Sequence, residues 1–482
     1  MKTNSIKFNF LMNIILTVSN VLFPLITFPY IARVILPIGN GKIAFCTSVI
    51  SYFTMIAMVG IPTYGIREVA KVRDDKDKLT KTVYELLLIS LITTIFSLLI
   101  LIILIFYIPK FNAEKQLFFI NAIGIFLNTI GVNWLYSGLE QYKYITIRSL
   151  VFKILSVIAM FLLVKNPEDY IVYGAISVFA TGGSNVLNFL NLRKFINVKY
   201  NGELEFRKHI KPIMVFFATV LATSIYVNLD TVMIGFINGN FEVGLYSTSL
   251  KIRSVVLSIV TALGTVLMPR LSYYVENGLY DDFKKVVAKC FNFITLLSVP
   301  LCMFIFIYSK NCIEFIAGEE YVMATMSLKI VIFTVIIVGY SNLTGIQILT
   351  PFGKENQLLK SIIYGAIVDF VLNLIFIPIF KSNGAAFATL IAELTVLIAQ
   401  MIYLKDFLTT IKNLVKIKRY LFFTLIATLV TLVFKNIFVG TAFINLILGA
   451  TVYFGVGLIL LIASKDPFYE MGMDIIRKRM KK

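Results

Sequence analysis

A few charged side chains interrupt the long apolar stretches of this 482-residue chain, and any chemistry would have to reside in them. Arg33 closes the first stretch and Lys153 lies in the fifth. Asp230 sits in the seventh within "YVNLDTVMIG", and Lys251 and Arg253 in the eighth within "STSLKIRSVVLS". Lys329, Asp369 and Glu393 fall in the tenth, eleventh and twelfth. A charge at the centre of a hydrocarbon layer costs about 2.5–3.5 kcal/mol on insertion scales, so one that is kept there marks a function or a partner. Asp230 precedes the end of its stretch, and Lys251 follows the start of its own, by distances that place both about 9 Å deep at 1.5 Å per residue. An ion pair across this hairpin would neutralise both. Residues two apart on a helix face different ways, so Arg253 cannot share that partner. Arg253, about 12 Å deep by the same rise, is then expected to be the unpaired cation and the first candidate for holding an anion, with Arg33, Lys251 and Lys153 behind it. Arg33 reads equally as an interfacial anchor, and Lys153 and Lys329 as snorkelling side chains. Asp369 and Glu393, near mid-membrane, read either as H⁺- or Na⁺-coupling groups or as interhelical hydrogen-bond partners.

Other chemistry-bearing residues read as structural. Cys46, Cys290, Cys302 and Cys312 show no paired spacing and are expected to be packing residues. His209, the only histidine, lies before Pro212 and is expected to be solvated. The run "DDKDK" at Asp74–Lys78 is expected to be a solvated loop, and Trp134 an interfacial aromatic anchor. No catalytic constellation, metal site or cofactor is indicated.

The elements that must position these groups are fourteen apolar stretches. They run from Phe10–Ala32 and Ile43–Ile61, through Leu86–Ile108, Leu117–Tyr136 and Ile213–Phe236, to Ile362–Phe380, Ala385–Leu404 and Phe443–Ala463. Each is near the ~20 residues that cross a ~30 Å hydrocarbon layer. Hydrophobic residues make up 58% of the chain against 15% charged, so a soluble protein is excluded. The net charge of +19 does not point to nucleic acid, because the basic residues collect in alternate loops, including Arg67–Lys81, Arg193–Lys211, Arg270–Lys289 and Lys405–Arg419. The intervening loop Ile237–Val243 has none, and Lys310–Tyr321 sets one Lys against Glu314, Glu319 and Glu320. The positive-inside rule then puts both ends in the cytoplasm. The first stretch is too long for a signal-peptide core and is expected to stay as a helix. The tail "IRKRMKK" is expected to meet anionic lipid headgroups.

Two halves carry similar segments. "SGLEQYKYITIRSLVFKILSVIAMFLL" from Ser137 parallels "PFGKENQLLKSIIYGAIVDFVLNLIFI" from Pro351, and "ILPIGNGKIAF" parallels "GFINGNFEVGLYS" with Gly41 opposite Gly244. The offset is six stretches, an even number, so the halves share one orientation, as in transporters that rock about a central site. The expected fold is an all-α polytopic membrane protein of about 14 transmembrane helices. It has two pseudo-symmetric six-helix lobes, 1–200 and 201–410, with two further helices and a basic tail over 411–482.

Three function classes follow. A transporter of a large anionic amphiphile needs embedded cations for the headgroup, and Arg suits phosphate because its planar donors grip two oxygens. A membrane enzyme would want a large outside loop or a His/Asp constellation, and neither occurs. An H⁺- or Na⁺-driven exporter of cationic drugs would want cavity carboxylates, and the first two stretches contain none.

The segments "LFPLITFPYIARVILPIGNGKIAF", "GIPTYGIREVAK", "NWLYSGLEQYKYITIRSLVFKI", "NLDTVMIG", "LMPRLS" and "LIFIPIFKSNGAAFATLIAE" together resemble the Wzx-type polysaccharide flippases of the multidrug/oligosaccharidyl-lipid/polysaccharide (MOP, MATE-like) superfamily. The resemblance runs through the twelfth stretch. It implies a MATE-like pair of six-helix lobes around a central cavity in a bacterial cytoplasmic membrane, with no enzymatic step and no cofactor. It also implies alternating-access movement of an undecaprenyl-diphosphate-linked oligosaccharide to the outer leaflet for surface polysaccharide synthesis. Arg33 matches the helix-1 cavity arginine of the related lipid II flippases and Arg253 falls in their helix-8 region, while the second stretch here has no Arg. Asn128, Asn342 and Gln347 are then candidate sugar contacts. The implied partners are a polyprenyl-diphosphate-linked glycan, membrane lipids, and a polysaccharide polymerase with its co-polymerase. The alternatives are a MATE-type drug exporter and a lipid II flippase.

Overall fold

The computed structural model describes residues 5–197, 200, 202–435 and 440–480, and among these all regular structure is helical. The chain divides into two compact units, Met1–Gly244 and Leu245–Lys482.

In the first unit, α1 (Ile6–Met58) contains the first two apolar stretches. Straight, its 53 residues would extend about 80 Å at 1.5 Å per residue, far more than one crossing needs. It is kinked at a single non-helical residue, Leu36 (φ 59, ψ 175), where the following Pro37 disfavours helical backbone. Next come α2 (Ile61–Val72) and α3 (Lys76–Tyr107). The expected loop Arg67–Lys81 is therefore mostly helical. The short α2 buries Ile61, Tyr64 and Val69, and the Asp75 carboxylate caps α3 by accepting from the Asp77 and Lys78 amides at 3.1 Å. The remaining helices of this unit are α4 (Pro109–Ala113), α5 (Lys115–Ile130), α6 (Asn133–Gly138), α7 (Tyr142–Leu163), α8 (Tyr170–Val178), α9 (Ser184–Asn191) and α10 (Arg207–Asn238).

The Asp75 carboxyl is held below the ordinary carboxylate range by the Lys78 amide and ammonium. A depressed folded-state value means that its stabilisation is present above the unfolded value and disappears as pH falls through the folded one. The acid limb of a thermal-melting profile is expected to flatten slightly in Asp75→Asn.

Helix α3 shows which solvent selected this chain. It buries Ser90, Thr94, Ser97 and Leu101 and exposes Ile92, Ile95, Phe96 and Leu99, each more than half accessible. Large apolar groups outward and hydroxyls inward suit a hydrocarbon surround, where small polar residues join helices. The hydroxyls are bonded: Thr94 to Thr129 at 2.7 Å, and Ser97 to the Phe53 carbonyl at 2.8 Å. Trp134 corrects an expectation. It is 3% exposed, packed with Tyr64, Val69 and Leu135 instead of anchoring at an interface.

The second unit holds most of α11 (Asn240–Glu276), then α12 (Tyr280–Ile307), α13 (Ser309–Ile316), α14 (Thr325–Val331) and α15 (Thr334–Asn342). It continues with α16 (Glu355–Tyr403), α17 (Lys405–Ile411), α18 (Ile417–Lys435), α19 (Ala442–Ala463) and α20 (Pro467–Met480). The 49 residues of α16 contain two apolar stretches that meet at Lys381 (φ 54, ψ −131). Asp466, fully buried, ties the start of α20 to α18 through Arg419 at 3.5 Å and the Tyr420 hydroxyl at 3.2 Å. Of the basic tail Ile476–Lys482, only the Arg477 side chain is among those described, and it is exposed.

Among the described residues ten helices are long and apolar enough to cross a bilayer, or eleven if the bent pair Glu319–Val331 and Thr334–Leu349 forms one span. The figure is lower than fourteen partly because α1 and α16 each join two stretches through one non-helical residue. The four cysteines are free and buried, as packing residues are.

Candidate functional site

In the second unit the structure brings four of the expected residues into two polar contacts, Arg253 with Glu393 and Gln347 with Asn342. Arg253 on α11 reaches across to α16 and α15. Its Nη2 lies 3.4 Å from a Glu393 carboxylate oxygen, and its Nε donates to the Thr334 hydroxyl at 2.5 Å. That hydroxyl gives its own proton to the Val331 carbonyl at 2.6 Å, so toward the guanidinium it can only accept. Arg253 is therefore not the unpaired cation that hairpin geometry suggested; elimination on one hairpin could not reveal a partner 140 residues away. The pairing is single-pronged and long. Among the described residues Nη1 has no protein acceptor, so its two N–H donors remain for a ligand. Gln347 donates to Asn342 at 3.2 Å, so these two candidate sugar contacts form one amide pair.

Asp369 is 1% exposed on the first arm of α16, and Glu393 is 8% exposed on the second. Lys251 is half-buried on α11, and Lys329 lies 5.6 Å above the Phe306 ring.

In the first unit Arg33 is exposed and donates to the Pro29 carbonyl of its own helix at 2.8 Å. Lys153 on α7 donates to Ser19 at 2.8 Å and Asn20 at 2.5 Å on α1, which makes it a strap between helices. Asp230 is buried on α10. Asn128 on α5 accepts from Asn185 on α9 at 3.2 Å.

Two buried polar clusters of the first unit escaped the sequence reading. In one, His209 is 2% exposed, not solvated, and bridges the Tyr64 hydroxyl (2.7 Å) and Glu85 (2.8 Å). Glu85 is fully buried and also receives Lys208 at 2.9 Å and the Glu205 amide at 2.7 Å. The clue was Ile213, four residues on and buried, which puts His209 on the inward face of α10. In the other, Arg148 on α7, one residue before its expected stretch, is 7% exposed among asparagines. Buried Ile145 and Ser156 mark that face.

Two apolar clefts hold none of the expected residues. One of about 430 Å³ runs along Val83, Leu87, Leu190 and Ile196 with Arg193 as its charged rim, and one of about 270 Å³ is lined by Pro300, Phe423 and Tyr453. Among the described residues no cluster of His, Cys, Asp or Glu could hold a metal ion.

Comparison with known proteins adds the following. Residues 6–275 match the family "Polysaccharide biosynthesis protein", and residues 215–379 match the MatE family. The chain is 22% identical over 415 residues to the "Putative O-antigen transporter" of Escherichia coli (strain K12), covering 84% of this chain and 99% of that protein. A shorter match, 21% over 188 residues and 38% of each chain, is to the "Probable low-salt glycan biosynthesis flippase Agl15" of Haloferax volcanii. Among solved structures, a lipid II flippase MurJ in an inward closed conformation aligns with a TM-score of 0.73 at 16% identity, covering 95% of this chain and 99% of that one. An inward-facing multidrug resistance MATE family transporter of the MOP superfamily aligns with a TM-score of 0.59 at 11% identity, covering 82% and 99%.

Proposed function

The chain belongs to the polysaccharide biosynthesis protein family, and from that premise we propose that it is a flippase of the MOP superfamily that moves a polyprenyl-diphosphate-linked oligosaccharide from the cytoplasmic to the outer leaflet of the plasma membrane. Relatives matched along nearly their whole length are named putative O-antigen transporters, and it is a multi-pass membrane protein without an enzymatic step. The observation that carries the substrate class is Arg253, a membrane-embedded guanidinium held by one long contact to Glu393 and one hydroxyl, with Nη1 open. A diphosphate offers the paired oxygens that such a fork grips, while the polyprenyl chain stays in the lipid. Glu393 sets the strength of the grip: it holds the guanidinium in place without saturating it. Within the second unit Lys251 adds positive charge on α11, and Asn342 and Gln347 offer amides to sugar hydroxyls. With a cytoplasm-negative potential, outward movement of each anionic charge is favoured by ~2.3 kcal/mol per 100 mV.

Deletion of the protein is expected to make lipid-linked oligosaccharide accumulate, measured by mass spectrometry of extracted lipids. Arg253→Ala is expected to reproduce most of that accumulation. Unchanged lipid-linked glycan together with raised retention of cationic dyes would favour drug export.

A further inference from the structure

Arg148 is a buried guanidinium with no carboxylate partner among the described residues. Its Nη1 donates to the Ser184 carbonyl at 2.8 Å, its Nη2 donates to Asn133 Oδ1 at 3.1 Å, and the Tyr144 ring lies 5.9 Å away. An amide chain leads away from it. Asn133 Nδ2 donates to Asn185 Oδ1 at 3.1 Å, and Asn185 Nδ2 donates to Asn128 Oδ1 at 3.2 Å. Asn188 braces the corner, donating to Asn133 Oδ1 at 3.0 Å and to the Gly131 carbonyl at 2.6 Å. That carbonyl is available because the helix breaks at Val132, held at φ 38.

The direction of this chain is fixed at its charged end. A guanidinium has donors only, so Asn133 must turn its oxygen toward Arg148. Its NH₂ group then faces Asn185, whose oxygen must face back, and the same holds at Asn128. The last NH₂, on half-buried Asn128 near the middle of Leu117–Tyr136, has no acceptor among the described residues. Hydrogen bonds in series polarise one another, so a cation at one end strengthens the donor at the other.

Resting on the flippase reading above, we infer that Asn128 Nδ2 selects a carbonyl-type oxygen on the transported glycan, an acetamido or a carboxylate group. Arg148 acts as the positioning residue, orienting and polarising the chain without touching the substrate.

The test uses the full chain in lipid nanodiscs and three probes: undecaprenyl-diphosphate carrying N-acetylglucosamine, glucuronic acid or glucose. Wild type is expected to bind one or both of the first two about tenfold more tightly than the glucose probe, the size of one net hydrogen bond. The two arms tell acetamido from carboxylate recognition. Asn128→Asp keeps the acceptor that Asn185 needs but removes the donor, and it is expected to abolish the preference, bringing the N-acetylglucosamine and glucuronic acid probes down to the glucose probe's affinity. Arg148→Gln is expected to narrow the preference in the same way, with Arg148→Lys restoring part of it, a pattern that simple loss of packing would not produce. Equal wild-type affinity for all three probes, or Asn128→Asp weakening all three alike, overturns the inference and leaves the flippase reading standing. No binding of any probe defeats both.

Discussion

Replacing Glu85 with alanine is expected to destabilise the protein by about 3–5 kcal/mol, the usual cost of removing one partner from a buried ionic cluster. The carboxylate is fully buried where α2, α3 and α10 meet, and it is the acceptor for the His209 imidazole, the Lys208 ammonium and the Glu205 amide. Without it, His209 keeps Tyr64 but loses its other partner, and the Glu205 amide loses its acceptor. Glu85→Gln keeps the shape and one acceptor oxygen, so it should cost less. Lys81→Ala removes the more exposed pair with Glu205 and should cost least of the three. Thermal or denaturant unfolding in detergent should rank the three in that order. Equal effects of Glu85→Ala and Lys81→Ala would show that the cluster is not what joins these helices.

Gly41→Ala is expected to be at least as damaging, at about 3 kcal/mol or more, the upper range of overpacking. A Cβ at Gly41 would lie 1.7 Å from the Asn240 carbonyl oxygen, and one at Gly244 would lie 2.0 Å from that of Pro37. Both obstacles are backbone, so no side chain can swing aside, and the turns at 36–41 and 239–244 would have to part. Gly39→Ala is the control within the same turn. Its Cβ would meet Ile35 and Tyr170 at 3.3 and 3.4 Å, which small shifts accommodate. A large fall in melting temperature for Gly41→Ala beside a small one for Gly39→Ala is the expected result. Similar falls for both would show that the close backbone approach is not limiting.

These residues show how far the sequence could be read. Helical class and membrane residence follow from apolar stretches that composition alone makes conspicuous, and Gly41 and Gly244 already stood opposite each other in the internal comparison. The breaks at Leu36 and Lys381 fall in the gaps that already separate Phe10–Ala32 from Ile43–Ile61 and Ile362–Phe380 from Ala385–Leu404, but that a single non-helical residue makes each of them was not legible. Charged partners were harder still. Glu85, Arg148 and His209 stand just outside the apolar stretches, yet each helix extends far enough to bury them. Arg253 was found from depth, but its partner Glu393 comes from a helix 140 positions on, a separation no spacing rule spans.

The most direct test of the embedded arginine as diphosphate holder is transport itself. The full chain is placed in proteoliposomes loaded with undecaprenyl-diphosphate-N-acetylglucosamine, and the headgroup reaching the opposite leaflet is followed with a membrane-impermeant lectin. Wild type should move the probe faster when the starting side is made negative, and Arg253→Ala should slow it about 10- to 100-fold, the worth of one or two charge-assisted hydrogen bonds. Arg253→Ala moving the probe at the wild-type rate under the same potential would contradict the account.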